Sequence, residues 1–256
     1  MLVLLPPSET KLAGGDGPPL RLDALSHPEL TPVRAALVDE LVALAADVPG
    51  SRRALGLSAA QDAEIARNAG LCSSPTTPAL LRYTGVLYDA LSFRTLTPAA
   101  RARATARLAV GSALFGLLSA TDPVPAYRLS AGSALPGGPL AARWRPALEP
   151  VLAGFDGLVV DLRSGPYAAL ARLPGAVTVR VLTEHEDGSR TVVSHHNKAH
   201  KGHLARVLAG TRAEPSTVDE LVKLLRRNGF RVERRGTELD LVTTGLPGPA
   251  RLAGAS

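Results

Sequence analysis

The stretch LVLLPPSETK (residues 2–11) decides how the chain reads. Four consecutive apolar residues, Leu2, Val3, Leu4 and Leu5, predict a short buried strand. Pro6 and Pro7 close it and open a loop that runs to Pro19, punctuated by Gly14, Gly15, Gly17, Pro18 and Pro19. Loops that leave the carboxyl end of a buried strand are where α/β proteins place ligands, so Lys11 becomes the first candidate.

Downstream, the pattern turns helical. Thr31 and Pro32 read as an N-cap followed by proline at the first helical position, with Val33, Leu37, Leu41 and Leu44 at helical spacing. Further helices are predicted over residues 58–71 (capped by Ser58), 78–91 and 97–108. Residues 110–118 read as a buried strand running into a tight turn, and residues 119–139 as loop. A helix over 140–152, a central strand over 158–162 and a strand over 177–182 follow. Residues 190–194 pair with that strand through a turn at 186–189. Helices at 198–208 and 217–227, the latter capped by Ser216 and stopped by Gly229, precede a closing hairpin of residues 230–233 and 238–242. Helices intermixed with short apolar strands predict a mixed α/β (α+β) fold. We expect one compact domain over residues 1–245, with a flexible C-terminal tail at 246–256.

The chain has 256 residues, 45% of them hydrophobic and 20% charged, an ordinary globular composition rather than a disordered one. Aromatic residues make up only 4%, so the core must rest on Leu, Val and Ala. The single cysteine, Cys72, excludes an internal disulfide; it reads as a small buried hydrophobe. The N-terminus lacks a basic signal region and no run approaches a membrane span, so the expected location is the cytoplasm, with no membrane partner.

Twenty-nine Lys and Arg against 23 Asp and Glu leave a net charge of +6, a balance that suits nucleic acid or phosphate-bearing partners as well as it suits a solvated surface. Residues 188–213 hold Arg190, Lys198, Lys201, Arg206 and Arg212 and no acid. Positive charge at a helix start opposes the helix dipole unless an anion is meant to sit there. Lys198 and Lys201 therefore read as an anion cradle, against the alternative of a solvated basic helix. His196, His200 and His203 share a helical face, but their lysine neighbours oppose a metal, and no metal or other cofactor is expected. A second acid-free window holds Arg94, Arg101, Arg103 and Arg107. Arg103 and Arg107, one turn apart, could track a phosphate backbone or form a plain surface face. In the loop after residue 118, Asp122 could orient a base or hydroxyl, Tyr127 could stack or donate, and Arg128 could clamp an anion; an Asp–Arg ion pair is the bland alternative. Nucleotide-loop, zinc-hydrolase and nucleophile-elbow motifs are absent.

Five elements in order carry a resemblance: PPSETK (6–11), YTGVLYDAL (83–91), LFGLLSATDPVPAYRL (114–129), DLRSGPY (161–167) and KAHKG (198–202). Together they resemble the YaaA peroxide-stress family (DUF328/UPF0246 type), in an actinobacterial-like variant. Lys11 matches the lysine of the family's first motif. Lys201 stands where Arg is common, Asp161 where Asn is, and Phe115 where Tyr is, and an extra residue separates Pro125 from Tyr127. The resemblance implies a single α/β fold with a basic cleft and a helix-hairpin-helix-like element, for which residues 33–71 are the candidate, with turn chemistry at Pro49, Gly50 and Gly56. It also implies peroxide resistance through limiting iron-dependent damage, and DNA binding. The first expectation is thus a stress protein that binds double-stranded DNA non-specifically through Lys11, Arg103, Arg107, Arg128, Lys198, Lys201 and Arg206. The alternative is an enzyme acting on a nucleotide-like or anionic small molecule, with catalytic candidates Lys11, Asp122, Tyr127 and Lys198. A pocket holding Lys and Tyr with shifted pKa values would reverse that order.

Overall fold

A computed structural model describes residues 1–192 and 197–244. The apolar run at the N-terminus forms β1 (Leu2–Leu5), and the loop after it contributes a short strand, β2 (Gly17–Pro19). Helices α1 (Thr31–Leu44), α2 (Val48–Leu55) and α3 (Asp62–Ala69) follow, then β3 (Pro75–Pro78). Next come α4 (Ala79–Arg82), α5 (Val86–Leu91) and α6 (Pro98–Arg107). A hairpin of β4 (Leu108–Ser112) and β5 (Gly116–Ser119) leads to β6 (Pro123–Val124) and α7 (Leu140–Ala153). The remainder comprises β7 (Val159–Asp161), α8 (Gly165–Ala168), β8 (Val177–Glu184) and β9 (Arg190–Val192). It ends with α9 (Asn197–Gly210), α10 (Val218–Arg227), β10 (Val232–Arg235) and β11 (Glu238–Thr243).

Eight strands form one mixed sheet in the order β10-β11-β8-β7-β1-β4-β5, with β9 also on β8; β2, β3 and β6 form a small second sheet. Strands β1, β4, β7, β8 and β11 are mutually parallel, whereas β5, β9 and β10 run against their neighbours. Successive residues of β4 and β7 are buried, so both sheet faces are covered there, as parallel sheets require. Along β8, by contrast, Thr178 and Arg180 are exposed between buried valines, and that face of the sheet meets solvent. The α/β expectation is met by a single compact body.

Several local expectations change. Thr31 does not cap α1: a 3₁₀ turn (Pro28–Leu30) runs straight into the helix, and the Thr31 hydroxyl makes no cap bond. Thr217, not Ser216, caps α10, accepting from the Glu220 amide at 3.2 Å. The helix expected over 78–91 is broken at residues 83–85, where Gly85 takes φ 97°. Residues 110–118 form the expected strand and tight turn, and the chain then returns as an antiparallel strand. Cys72 is exposed, because the turn after α3 points Leu71 inward and its neighbour outward. In the stretch read as a hairpin element, Pro49 and Gly50 lie in the first turn of α2, so only Gly56, at φ 65°, makes a turn. Residues 193–194 of the expected β9 strand, His196 and the tail lie outside the described residues.

Candidate functional site

Strand β1 lies between β4, which follows it in the chain, and β7, which comes later on its other side. The chain thus winds both ways from β1, and in open α/β sheets the carboxyl ends of the strands at such a switch point are where ligands commonly bind. Leu5, Ser112 and Asp161 end the three strands on that edge.

The loop after β1 is held there by the break between α4 and α5. Leu12 donates its amide to Arg82 O (2.9 Å), Thr84 donates to Thr10 O (3.3 Å), and Lys11 bridges Tyr83 in antiparallel fashion. The guanidinium of Arg82 is fully buried; it donates to Val124 O at 3.0 Å, Pro75 O at 3.2 Å and Leu12 O. A continuous helix over 78–91 would leave the loop with no backbone to bond, which is why the break matters to the site.

The amine of Lys11 donates to Ser8 O at 2.9 Å and Glu9 O at 3.3 Å. It stands 4.2 Å from the centroid of the Tyr127 ring and 5.5 Å from that of Tyr83. Burial, followed by the nearby Arg128 charge, lowers its pKa to about 7, with Glu64 and Glu9 pulling the other way. Tyr127 shares hydroxyl hydrogen bonds with Tyr83 (2.8 Å) and Ser112 (2.7 Å), and Ser112 Oγ accepts the amides of Leu114 and Phe115. Tyr88 stacks on Tyr83 and donates to Pro6 O at 2.8 Å. Burial raises the pKa of Tyr83, Tyr88 and Tyr127, and that of Tyr167 to about 12, so all four phenols stay protonated.

Arg128 pairs with Glu9 at 2.8 Å. Its backbone is held in both directions by the buried Asn68 amide, at 2.8 Å each way. Helix α3 brings Glu64 and Arg67, paired at 2.6 Å, to the same place. Across β1, Asp161 and the buried Arg163 form a two-point ion pair, and Arg163 also donates to Ala171 O at 3.1 Å. A Cβ on Gly111 would lie 2.9 Å from Arg163 Cδ, so only glycine lets the arginine pack over the end of β4. Lys201 reaches this edge from α9 and donates to Leu162 O at 3.2 Å; burial lowers its pKa while Asp161 opposes the shift. Lys198 lies exposed in the first turn of α9.

Lys11, Tyr127 and Arg128 therefore meet in one place, and Lys201 lies one strand over on the same edge. The other residues singled out are elsewhere. Asp122 is buried and accepts from Ser26 N, Ser26 Oγ and Ser119 N, tying two loops together; among the described residues it forms no ion pair with an arginine. Arg103 donates twice to Gly210 O, and Arg107 to Leu208 O, Thr211 O, Ala213 O and Glu214. Arg206 donates to Leu91 O and Ser92 O. All three arginines satisfy carbonyls at or just beyond helix C-termini, where cations are favoured. Of the histidine trio, His200 is buried and the His203 imidazole is held below its usual pKa by burial and Arg206. No group of three or more metal-ligating side chains occurs among the described residues. Sequence reasoning missed Tyr83, Asn68, Arg67 and Arg163 as members of the site. Asn68, an amide buried beside Ile65 on the inner face of α3, is the one that carried a signal.

The chain matches the family model described as peroxide stress protein YaaA over residues 1–235. A UPF0246 protein of Corynebacterium efficiens is 51% identical over 238 residues, covering 91% of this chain and 95% of that protein. A UPF0246 protein of Corynebacterium glutamicum is 46% identical over 248 residues (95% and 99%). One of Streptomyces coelicolor is 47% identical over 239 residues (91% and 92%). With a match over nearly its whole length and close actinobacterial relatives, the chain belongs to the YaaA/UPF0246 family of peroxide stress proteins.

Proposed function

We propose that this protein acts in peroxide stress through a small-molecule site at the carboxyl edge of its sheet, where an anionic, nucleotide-like ligand meets Lys11, Arg128 and the tyrosine cluster. The observation that carries this reading is the enclosed amine of Lys11, brought to a pKa of about 7 beside a guanidinium and two phenols. Perturbed groups gathered in one crevice mark a site more than a surface does. Glu9, on the exposed side of the loop, holds the Arg128 fork, and an incoming phosphate or carboxylate would replace it.

DNA binding is the second reading. It is favoured by the net charge of +6 and by Lys198, whose amine makes no hydrogen bond or ion pair within the described residues. It stands second because Arg103, Arg107 and Arg206 are engaged with backbone carbonyls. Limiting iron-dependent damage would be the outcome in the cell under either reading.

The test compares thermal shift with nucleoside monophosphates and anisotropy with a random duplex at several salt concentrations. The expected result is stabilisation by a monophosphate that is lost in Arg128→Ala and Lys11→Met and kept in Arg103→Ala. Tight duplex binding with a steep salt slope, and no response to small anions, would overturn it in favour of DNA.

A further inference from the structure

Counting protons in the tyrosine cluster shows what the site lacks. Ser112 Oγ has two lone pairs, and the amides of Leu114 (3.2 Å) and Phe115 (3.0 Å) occupy both. Its own proton must therefore go to Tyr127, its remaining partner at 2.7 Å. Tyr127 and Tyr83 then share one hydrogen bond of 2.8 Å but carry two protons between them. One phenolic O–H is left without an acceptor, in rings that are 1% and 2% exposed. Buried donors are normally satisfied, so an unsatisfied one at the carboxyl ends of the strands calls for an acceptor atom, which a ligand would supply. Lys11 stands beside the same two rings. A neutral amine has two N–H groups and one lone pair; Ser8 O and Glu9 O take the two N–H groups, which leaves the lone pair free.

We propose that Lys11 condenses with the carbonyl group of an anionic aldehyde or ketone to form an imine, with the Tyr83–Tyr127 pair donating to the carbonyl oxygen. This rests on the small-molecule reading of the site. The Lys11 nitrogen bonds to the carbonyl carbon while the C=O π pair moves to oxygen, which takes the spare phenolic proton. The nitrogen returns a proton to the phenol. The nitrogen lone pair then forms C=N as the C–O bond breaks and water leaves with the second amine proton. Both protons of that water come from the amine, the phenols end as they began, and nothing is oxidised or reduced. Arg128 holds the carboxylate or phosphate of the same molecule.

The chain suits a direct test, because its only lysines are Lys11, Lys198, Lys201 and Lys223. The full-length protein is incubated at pH 7 with glyoxylate, or with neutral propionaldehyde at equal concentration. Borohydride then reduces any imine to a secondary amine, and the adducts are mapped by mass spectrometry. Lys223, exposed on α10, is the internal reference. Glyoxylate is expected to label Lys11 at least about tenfold over Lys223 and over propionaldehyde at Lys11. Tyr83→Phe alone leaves a spare proton on Tyr127, so the Tyr83→Phe/Tyr127→Phe double variant, which removes both phenols, should slow labelling of Lys11 by about a hundredfold without changing Lys223. Lys11 labelled no faster than Lys223, while a monophosphate still stabilises the protein, overturns the imine proposal and leaves the anion site standing. Equal labelling of Lys11 by both aldehydes upholds the amine and overturns the anionic-ligand reading. Unchanged labelling of Lys11 in the double variant overturns the role of the phenol pair.

Discussion

At the residue scale, one side chain governs the titration of the site. The lysine pKa is about 7 folded and near 10.5 unfolded, so between those values the unfolded chain binds one more proton. Stability should then rise with pH from about 7 to about 10.5 and be flat on either side as far as this group is concerned. Lys11→Met, which carries no charge in either state, should flatten that rise; urea melts of both proteins across this range measure it. The two central tyrosines should differ although both are buried phenols. Tyr127→Phe strands the donors of Ser112 and Tyr83 and is expected to cost about 2 kcal/mol. Tyr83→Phe still leaves a single phenolic proton without an acceptor, now that of Tyr127, and should stay within about 1 kcal/mol of wild type. Equal losses in chemical denaturation would show that the proton count is wrong.

At the element scale, helices are tied to one another by arginines and by close glycine contacts. Helix α9 packs on α5 through Gly202, where a Cβ would lie 2.2 Å from Leu87 O and 2.7 Å from Ala90 Cβ. Gly202→Ala is expected to cost about 2–3 kcal/mol by forcing the two helices apart, read as a lowered denaturation midpoint. Because α9 also carries Lys201 to the end of β7, the same change should weaken ligand stabilisation. Arg107, nearly fully buried, holds the carbonyls that follow α9. Arg107→Ala should lower stability by about 3 kcal/mol, because it leaves those carbonyls unpartnered, yet leave the affinity of the folded protein for a small anion unchanged. Loss of anion binding in a folded Arg107→Ala protein would return that arginine to the site.

For the whole molecule, the parallel sheet sets where binding at the proposed site would couple to folding. The β1 loop, the α4–α5 break and α3 meet only when the fold is complete, so a ligand there binds the native state alone. At a concentration one hundred times its dissociation constant it should add about 2.7 kcal/mol, raising the midpoint of thermal unfolding by about 5 °C for a chain of this size. A ligand that shifts the midpoint equally in wild type and in Arg128→Ala binds somewhere else. No helix among the described residues is long and apolar enough to cross a membrane.

Runs of apolar residues bounded by proline and glycine sufficed to read most strands and helices, since burial pattern and turn chemistry are local properties. Pro6 and Pro7 marked the end of β1, Gly229 the stop of α10, and Lys11 and Arg128 were recognisable as charges at loop exits. Local pattern could not show that residues 83–85 leave the helical path, because the reason is the loop across from them, whose backbone groups need Arg82 O and the Thr84 amide. Nor could it separate Arg128, whose guanidinium pairs with the exposed Glu9, from Arg103, Arg107 and Arg206, which look alike in sequence but have carbonyls within reach. Charge and hydropathy are written along the chain, so the kinds of element and the candidate groups could be named in advance. Which cation stays available to a ligand, and how readily an amine loses its proton, depends on neighbours distant in sequence, such as Arg128, 117 residues from Lys11, and is settled only by desolvation and hydrogen-bond geometry in the folded state.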